Sequence, residues 1–124
     1  MKRLLTLTAI IEGATGLALM AVPSVVVRLL LGGKLFGASV PLGRVAGFGL
    51  LSLGIACWPG CDTTDNTVPA LRAMLTYNSL ATLYFLCLGI GSEWVGPLLW
   101  PAVGLHGILS LLLVRQWRLG NTGR

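Results

Sequence analysis

Apolar runs long enough to cross a bilayer recur four times along this chain, at about residues 4–22, 41–58, 70–91 and 97–114. A hydrocarbon core about 30 Å thick asks for roughly 17–25 such residues per helix. Lipid offers no hydrogen bonds, so a chain that crosses it must satisfy its backbone internally, as helices or as a closed barrel. The runs are continuous and do not alternate with period two, which argues against a barrel. The expected fold is all-α and integral to a membrane. It is a four-helix transmembrane bundle forming one domain over residues 1–124. A composition 55% apolar and only 10% charged lies outside the range of soluble domains.

The connections carry their own signals. Pro23 ends the first span, Ser24 can cap a new helix, and Gly32-Gly33 stops it. The segment at about 24–31 is too short to span, so it is expected as an interfacial or re-entrant helix between the first and second spans. Its Arg28 would snorkel to headgroups. A polar loop runs from Cys61 through Asp62, Asp65 and Asn66, and Thr67 with Pro69 then reads as a helix start. A turn at 94–96 precedes Pro97, which is expected to open the last span, with Pro101 bending it slightly. Met1-Lys2-Arg3 before an apolar run imitates a secretory signal, but Glu12 inside that run favours a retained first helix.

The formal charge of +5 would suggest nucleic acid in a soluble protein. Here the basic residues mark segment ends, where they orient helices, and nucleic-acid binding is excluded as a reading. With both termini inside, Lys2, Arg3, Arg72, Arg115, Arg118 and Arg124 share the inner side, against Arg28, Lys34 and Arg44 outside. That asymmetry predicts N-in and C-in in a bacterial inner membrane. Trp58 and Trp117 would then lie at the inner interface, with Trp94 and Trp100 at the outer one.

Glycines fall in strips: Gly13 and Gly16 in the first span, Gly43, Gly47 and Gly54 in the second, Gly104 and Gly107 in the fourth. Small residues let backbones approach closely, the usual route to helix association in lipid. Internal packing is the favoured use and a homo-oligomer interface the alternative.

Counting about 1.5 Å of rise per residue puts Glu12 and His106 near the middle of the first and fourth spans. Asn78, with Tyr77 beside it, lies a turn from the middle of the third, and Arg44 starts the second within reach of Glu12. An acid at such depth is a functional-site signal by default. A neutral Glu12 would donate to His106, Asn78 or a ligand; an ionised one needs a cation such as Arg44. Both states suit a ligand or proton site, and a hydrogen-bonded knot that fixes helix register is the plainer use.

Other chemistries have less to build on. One histidine does not supply both axial ligands of a haem. Cys57-Trp58-Pro59-Gly60-Cys61 has three residues between its cysteines, not the two of the usual redox motif, and falls on the expected reducing side. Cys87, inside the third span, reads as a small packing residue. No phosphate-binding loop, paired carboxylates or nucleophile motif is present. No cofactor or metal is expected, and no catalytic residue is assigned.

Two resemblances add to this reading. Ala9-Ile10-Ile11-Glu12-Gly13, in a short chain with four spans, is similar to the small multidrug resistance transporters, which carry a glutamate in the first helix. That resemblance implies drug–proton antiport with Glu12 as the one transferable residue. The long connection at 23–40, Arg44 and His106 depart from that pattern. Over the whole chain, Gly16-Leu17-Ala18-Leu19 with Pro23, Arg28-Leu29-Leu30-Leu31-Gly32-Gly33 and Arg44-Val45-Ala46-Gly47 resemble uncharacterised bacterial membrane proteins of the DoxX-like kind. That layout implies four helices with a short apolar helix after the first, and no settled activity.

The function expected is therefore non-enzymatic. The chain would bind a lipophilic or small polar ligand, or a partner membrane subunit, around Glu12, Asn78 and His106. The alternatives are a proton-coupled small-molecule transporter using Glu12, and an accessory subunit of a quinone- or haem-linked complex. Membrane lipids, a lipophilic small molecule and a second copy are the candidate partners.

Overall fold

The computed structural model describes residues 2–58, 67–92 and 94–122. Among the described residues the regular structure is all helical: α1 (Lys2–Ala21), α2 (Pro23–Leu31), α3 (Ser39–Ala56), α4 (Thr67–Gly91) and α5 (Leu99–Thr122). Four of these, all but α2, are long and apolar enough to cross a membrane. The polar loop up to Asn66, including Cys61, and Arg124 lie outside the described residues.

The long helices associate as two pairs. α1 packs along α3 and α4 along α5, while contacts between the pairs are sparse. In α1/α3 the backbones touch. A Cβ on Gly16 would lie 2.6 Å from the Leu51 nitrogen, one on Gly47 2.7 Å from the Gly16 oxygen, and one on Gly54 2.8 Å from the Ala9 oxygen. Only residues without a side chain permit that approach. Gly13 receives Gly54 through its own backbone, and Gly43 packs on Pro23 and Leu35. Gly107 makes ordinary contact with Thr82, whereas Gly104 is exposed with nothing near its missing Cβ and takes no part in packing.

The pairs meet at one end, where Leu5, Ala9, Cys57, Leu71, Met74 and Leu113 form the apolar core. Trp117 packs against that cluster and carries the Arg72 guanidinium 5.6 Å from its ring centre. This contact explains why α5 continues to Thr122, well past the expected end at 114. The amphipathic stretch from Arg115 to Trp117 leaves the apolar run yet still has a core to join.

At the opposite end α2 is tied down by the α4–α5 connection. Gly96 N–H donates to Leu30 O and Leu98 N–H to Leu29 O, both at 2.9 Å. These bonds occupy carbonyls that a helix C-terminus leaves open. Gly32 closes α2 at φ 70°, its N–H donating to Arg28 O. That left-handed conformation suits glycine. Several boundary expectations need correcting. Val22, not Ser24, precedes the first turn of α2, and Pro23 occupies that turn, where its missing N–H costs nothing. Pro97 lies in a turn ahead of α5, which opens at Leu99. Pro101 therefore falls in the first turn of α5, where no hydrogen bond is lost to bend the helix.

Candidate functional site

The cluster forms where the two pairs face each other, one turn beyond the core residue Met74. α1 contributes Glu12, α4 contributes Tyr77 and Asn78, and α5 contributes His106. Glu12 and Asn78 are 0% exposed and His106 is 8% exposed. Equal depth in the sequence becomes a lateral meeting of three helices.

The hydrogen bonds fix the orientation of the groups. Asn78 Nδ2 donates to Met74 O at 2.9 Å, and a carbonyl only accepts. The amide oxygen of Asn78 must then face His106, 2.8 Å from Nδ1. His106 Nδ1 therefore carries a proton and donates it to Asn78. The nearest carboxylate oxygen, Glu12 Oε1, is 3.8 Å from the same nitrogen, close enough for an ion pair when the ring is charged but too far for a hydrogen bond.

Other donors are committed elsewhere. Thr8, buried one turn from Glu12 on α1, directs its hydroxyl to Leu4 O and Leu5 O at 3.1 and 3.0 Å. Thr82 and Ser110 likewise bond back to Asn78 O and His106 O. The side chains of Tyr77 and Asn78 face the carboxyl group as hydrogen-bonding neighbours, but neither reaches a well-formed bond geometry. Both Glu12 oxygens are buried, and no well-formed hydrogen bond reaches either of them among the described residues. This is the anomaly of the site: an acid enclosed by polar groups, with Tyr77 and Asn78 turned towards it but no well-formed hydrogen bond to either oxygen among the described residues.

Arg44 is not the partner. It is exposed on α3, and the basic side chain within ion-pair distance of Glu12 is His106, at 3.8 Å. Tyr77 is half-buried and sets its ring edge-on to His106, with centroids 5.8 Å apart. Phe85, which reading the sequence did not single out, approaches His106 at the same distance from another direction. It lies about two turns from Asn78 on α4, a spacing that is a usable signal only once Asn78 is known to face inward.

Cys57 is buried, with its thiol 3.6 Å from Ala70 O. Cys61 lies outside the described residues. Cys87 is exposed on α4 and so is not a packing residue. Among the described residues no three His, Cys, Asp or Glu side chains gather as metal ligands.

No family model, curated protein or solved structure matches the chain.

Proposed function

We propose that the chain is a multi-pass protein of the bacterial cytoplasmic membrane, with both termini inside. In this reading its four long helices form a transmembrane bundle that binds a small hydrogen-bond-donating ligand at Glu12, without enzymatic chemistry. The membrane placement draws support from the outer surface. Leu111, Ile90 and Ile55 are 73%, 71% and 67% exposed on three different helices. Such an apolar exterior suits lipid and would aggregate in water.

The poorly satisfied carboxyl of Glu12 carries the ligand reading. A polar residue kept only as interhelical glue should be bonded, and such bonds contribute about 0.6 kcal/mol on average. Leaving a buried polar group unsatisfied costs about 1–3 kcal/mol, more if it is charged. Tyr77 and Asn78 approach without closing good bonds and recover only part of that cost, so a donor that arrives from outside the chain would complete the site. Asn78 and His106 position that donor, and Tyr77 and Phe85 wall it in.

A second reading, proton-coupled transport, is favoured by one specific feature. Glu12 and His106 belong to different helix pairs, and the pairs touch sparsely. A proton or ligand exchanged at this seam would alter the contact between two otherwise separate units.

Purification in mild detergent, followed by mass and optical analysis of co-purifying small molecules, tests the ligand reading. Wild-type protein and Glu12→Gln are then compared for ligand retention and thermal stability from pH 5 to 8. Retention by the wild type and loss in Glu12→Gln is the expected result. Identical behaviour of the two proteins at every pH would overturn both readings.

A further inference from the structure

A second feature lies on roughly the opposite side of α1 from Glu12. The open face of the α1/α3 pair holds a groove of about 600 Å³, walled by Ile10, Ala14 and Leu17 of α1 and by Leu51 and Ile55 of α3, with Trp58 at one end. Its volume falls within the roughly 300–1,000 Å³ of ordinary small-molecule sites. Gly13 lines it as well, and a Cβ there would meet nothing within 4 Å.

Helical phase ties this groove to charge. Ile10, Ala14 and Leu17 recur at the three- and four-residue spacing of one helix face. Two turns before Ile10 the same face carries Arg3, which is exposed, next to exposed Lys2. Trp58, 54% exposed, stands at that end of α3. From Arg3 to Leu17 the helix rises about 21 Å. One leaflet with its headgroups measures about 20–22 Å, half of a 40–45 Å bilayer.

The geometry points to a seat for one anionic phospholipid, its acyl chain in the α1/α3 groove and its headgroup at Arg3 and Lys2. This rests on the membrane placement proposed above and is independent of the Glu12 ligand. A free anion would leave the apolar slot unfilled. A second copy docked here about an axis normal to the membrane would set its own Lys2 and Arg3 against these, like charge facing like. An anionic lipid satisfies both the slot and the charge.

Release of the full chain from the membrane fraction only by detergent is the control on placement alone. Native mass spectrometry then follows purified protein exchanged into equal amounts of phosphatidylglycerol and phosphatidylcholine. The wild type should retain one phosphatidylglycerol in preference to phosphatidylcholine. Gly13→Leu fills the slot from an open position and should abolish the retained lipid while the helical circular-dichroism signal stays. Lys2→Gln with Arg3→Gln leaves the packing untouched. It should reduce the preference for phosphatidylglycerol about 25-fold, at about five-fold for each basic residue near an anionic surface. Equal retention of the two lipids by the wild type overturns the proposal. So does unchanged retention in Gly13→Leu, or a dimer that Gly13→Leu dissociates, which would assign the groove to a second copy.

Discussion

The two helix pairs are built on opposite principles. α1 and α3 meet backbone to backbone at Gly16, Gly47 and Gly54. α4 and α5 meet through side chains. Asn78 accepts from His106, and the Trp100 ring lies 3.0 Å from where a Cβ on Gly89 would be. A backbone contact has no rotamer with which to yield, whereas side chains repack. The first pair is thus the rigid unit and the second the adjustable one, and Glu12 projects from the rigid unit into the adjustable one.

The sharpest way to break this contrast is to give the rigid pair a side chain. Gly47→Leu would drive its new Cβ into the Gly16 oxygen and the Met20 backbone, at 2.7 and 2.9 Å. Overpacking of this kind costs about 1–3 kcal/mol and occasionally more. The expected outcome is loss of the folded protein or a large drop in thermal midpoint. Gly104→Leu, at an open position, should be nearly silent. Equal effects of the two substitutions would remove the distinction between packing and surface glycines.

A second test changes sign. Glu12→Met keeps the volume of the side chain and removes its poorly bonded oxygens. It should stabilise the protein by about 1–3 kcal/mol, the cost of an unsatisfied buried group. The same variant should lose any ligand retained by the wild type. A destabilised Glu12→Met would mean that Glu12 does bond within the chain, and the case for an external donor would fall. Stability gained as function is lost is a familiar trade at sites kept for activity.

The sequence made depth legible and direction illegible. Each long helix is apolar nearly all round, so its polar residues could be assigned a height but hardly a side. Glu12, Asn78 and His106 share a height, and in the structure they also share an azimuth. Arg44 was within reach by length alone and faces outward on α3. Phe85 and the carbonyl of Met74, both parts of the site, give no signal until the inward face of α4 is known. The end of α5 was missed for a related reason. Hydropathy falls at Arg115 because the helix meets a polar surrounding, but helicity continues while Trp117 has a core to pack on. The glycine strips were partly legible: the spacing that marks Gly47 and Gly54 also marks Gly104, and only the neighbouring helix tells them apart.

The smallest expected effect lies in the adjustable pair. The His106–Asn78 bond crosses from α5 to α4 at 2.8 Å, deep in the site. In water-soluble cores a buried side-chain bond would be expected to matter more, but in lipid the separated helices also find partners, and measured couplings average about 0.6 kcal/mol with a maximum near 1.7. The single variants His106→Ala and Asn78→Leu each add cavity or desolvation costs of their own, so neither isolates the bond. A double-mutant cycle on thermal or denaturant unfolding in detergent does. The expected coupling is about 0.6 kcal/mol. A coupling well above 2 kcal/mol would make this pair, and not the glycine contact, the principal anchor of the fold. No coupling would mean that His106 turns its Nδ1 proton elsewhere, with Glu12 Oε1, at 3.8 Å, as the other acceptor. An intermediate value fits the division of labour between the two pairs: a bond strong enough to orient the imidazole towards Glu12, and weak enough to exchange when a donor reaches the acid.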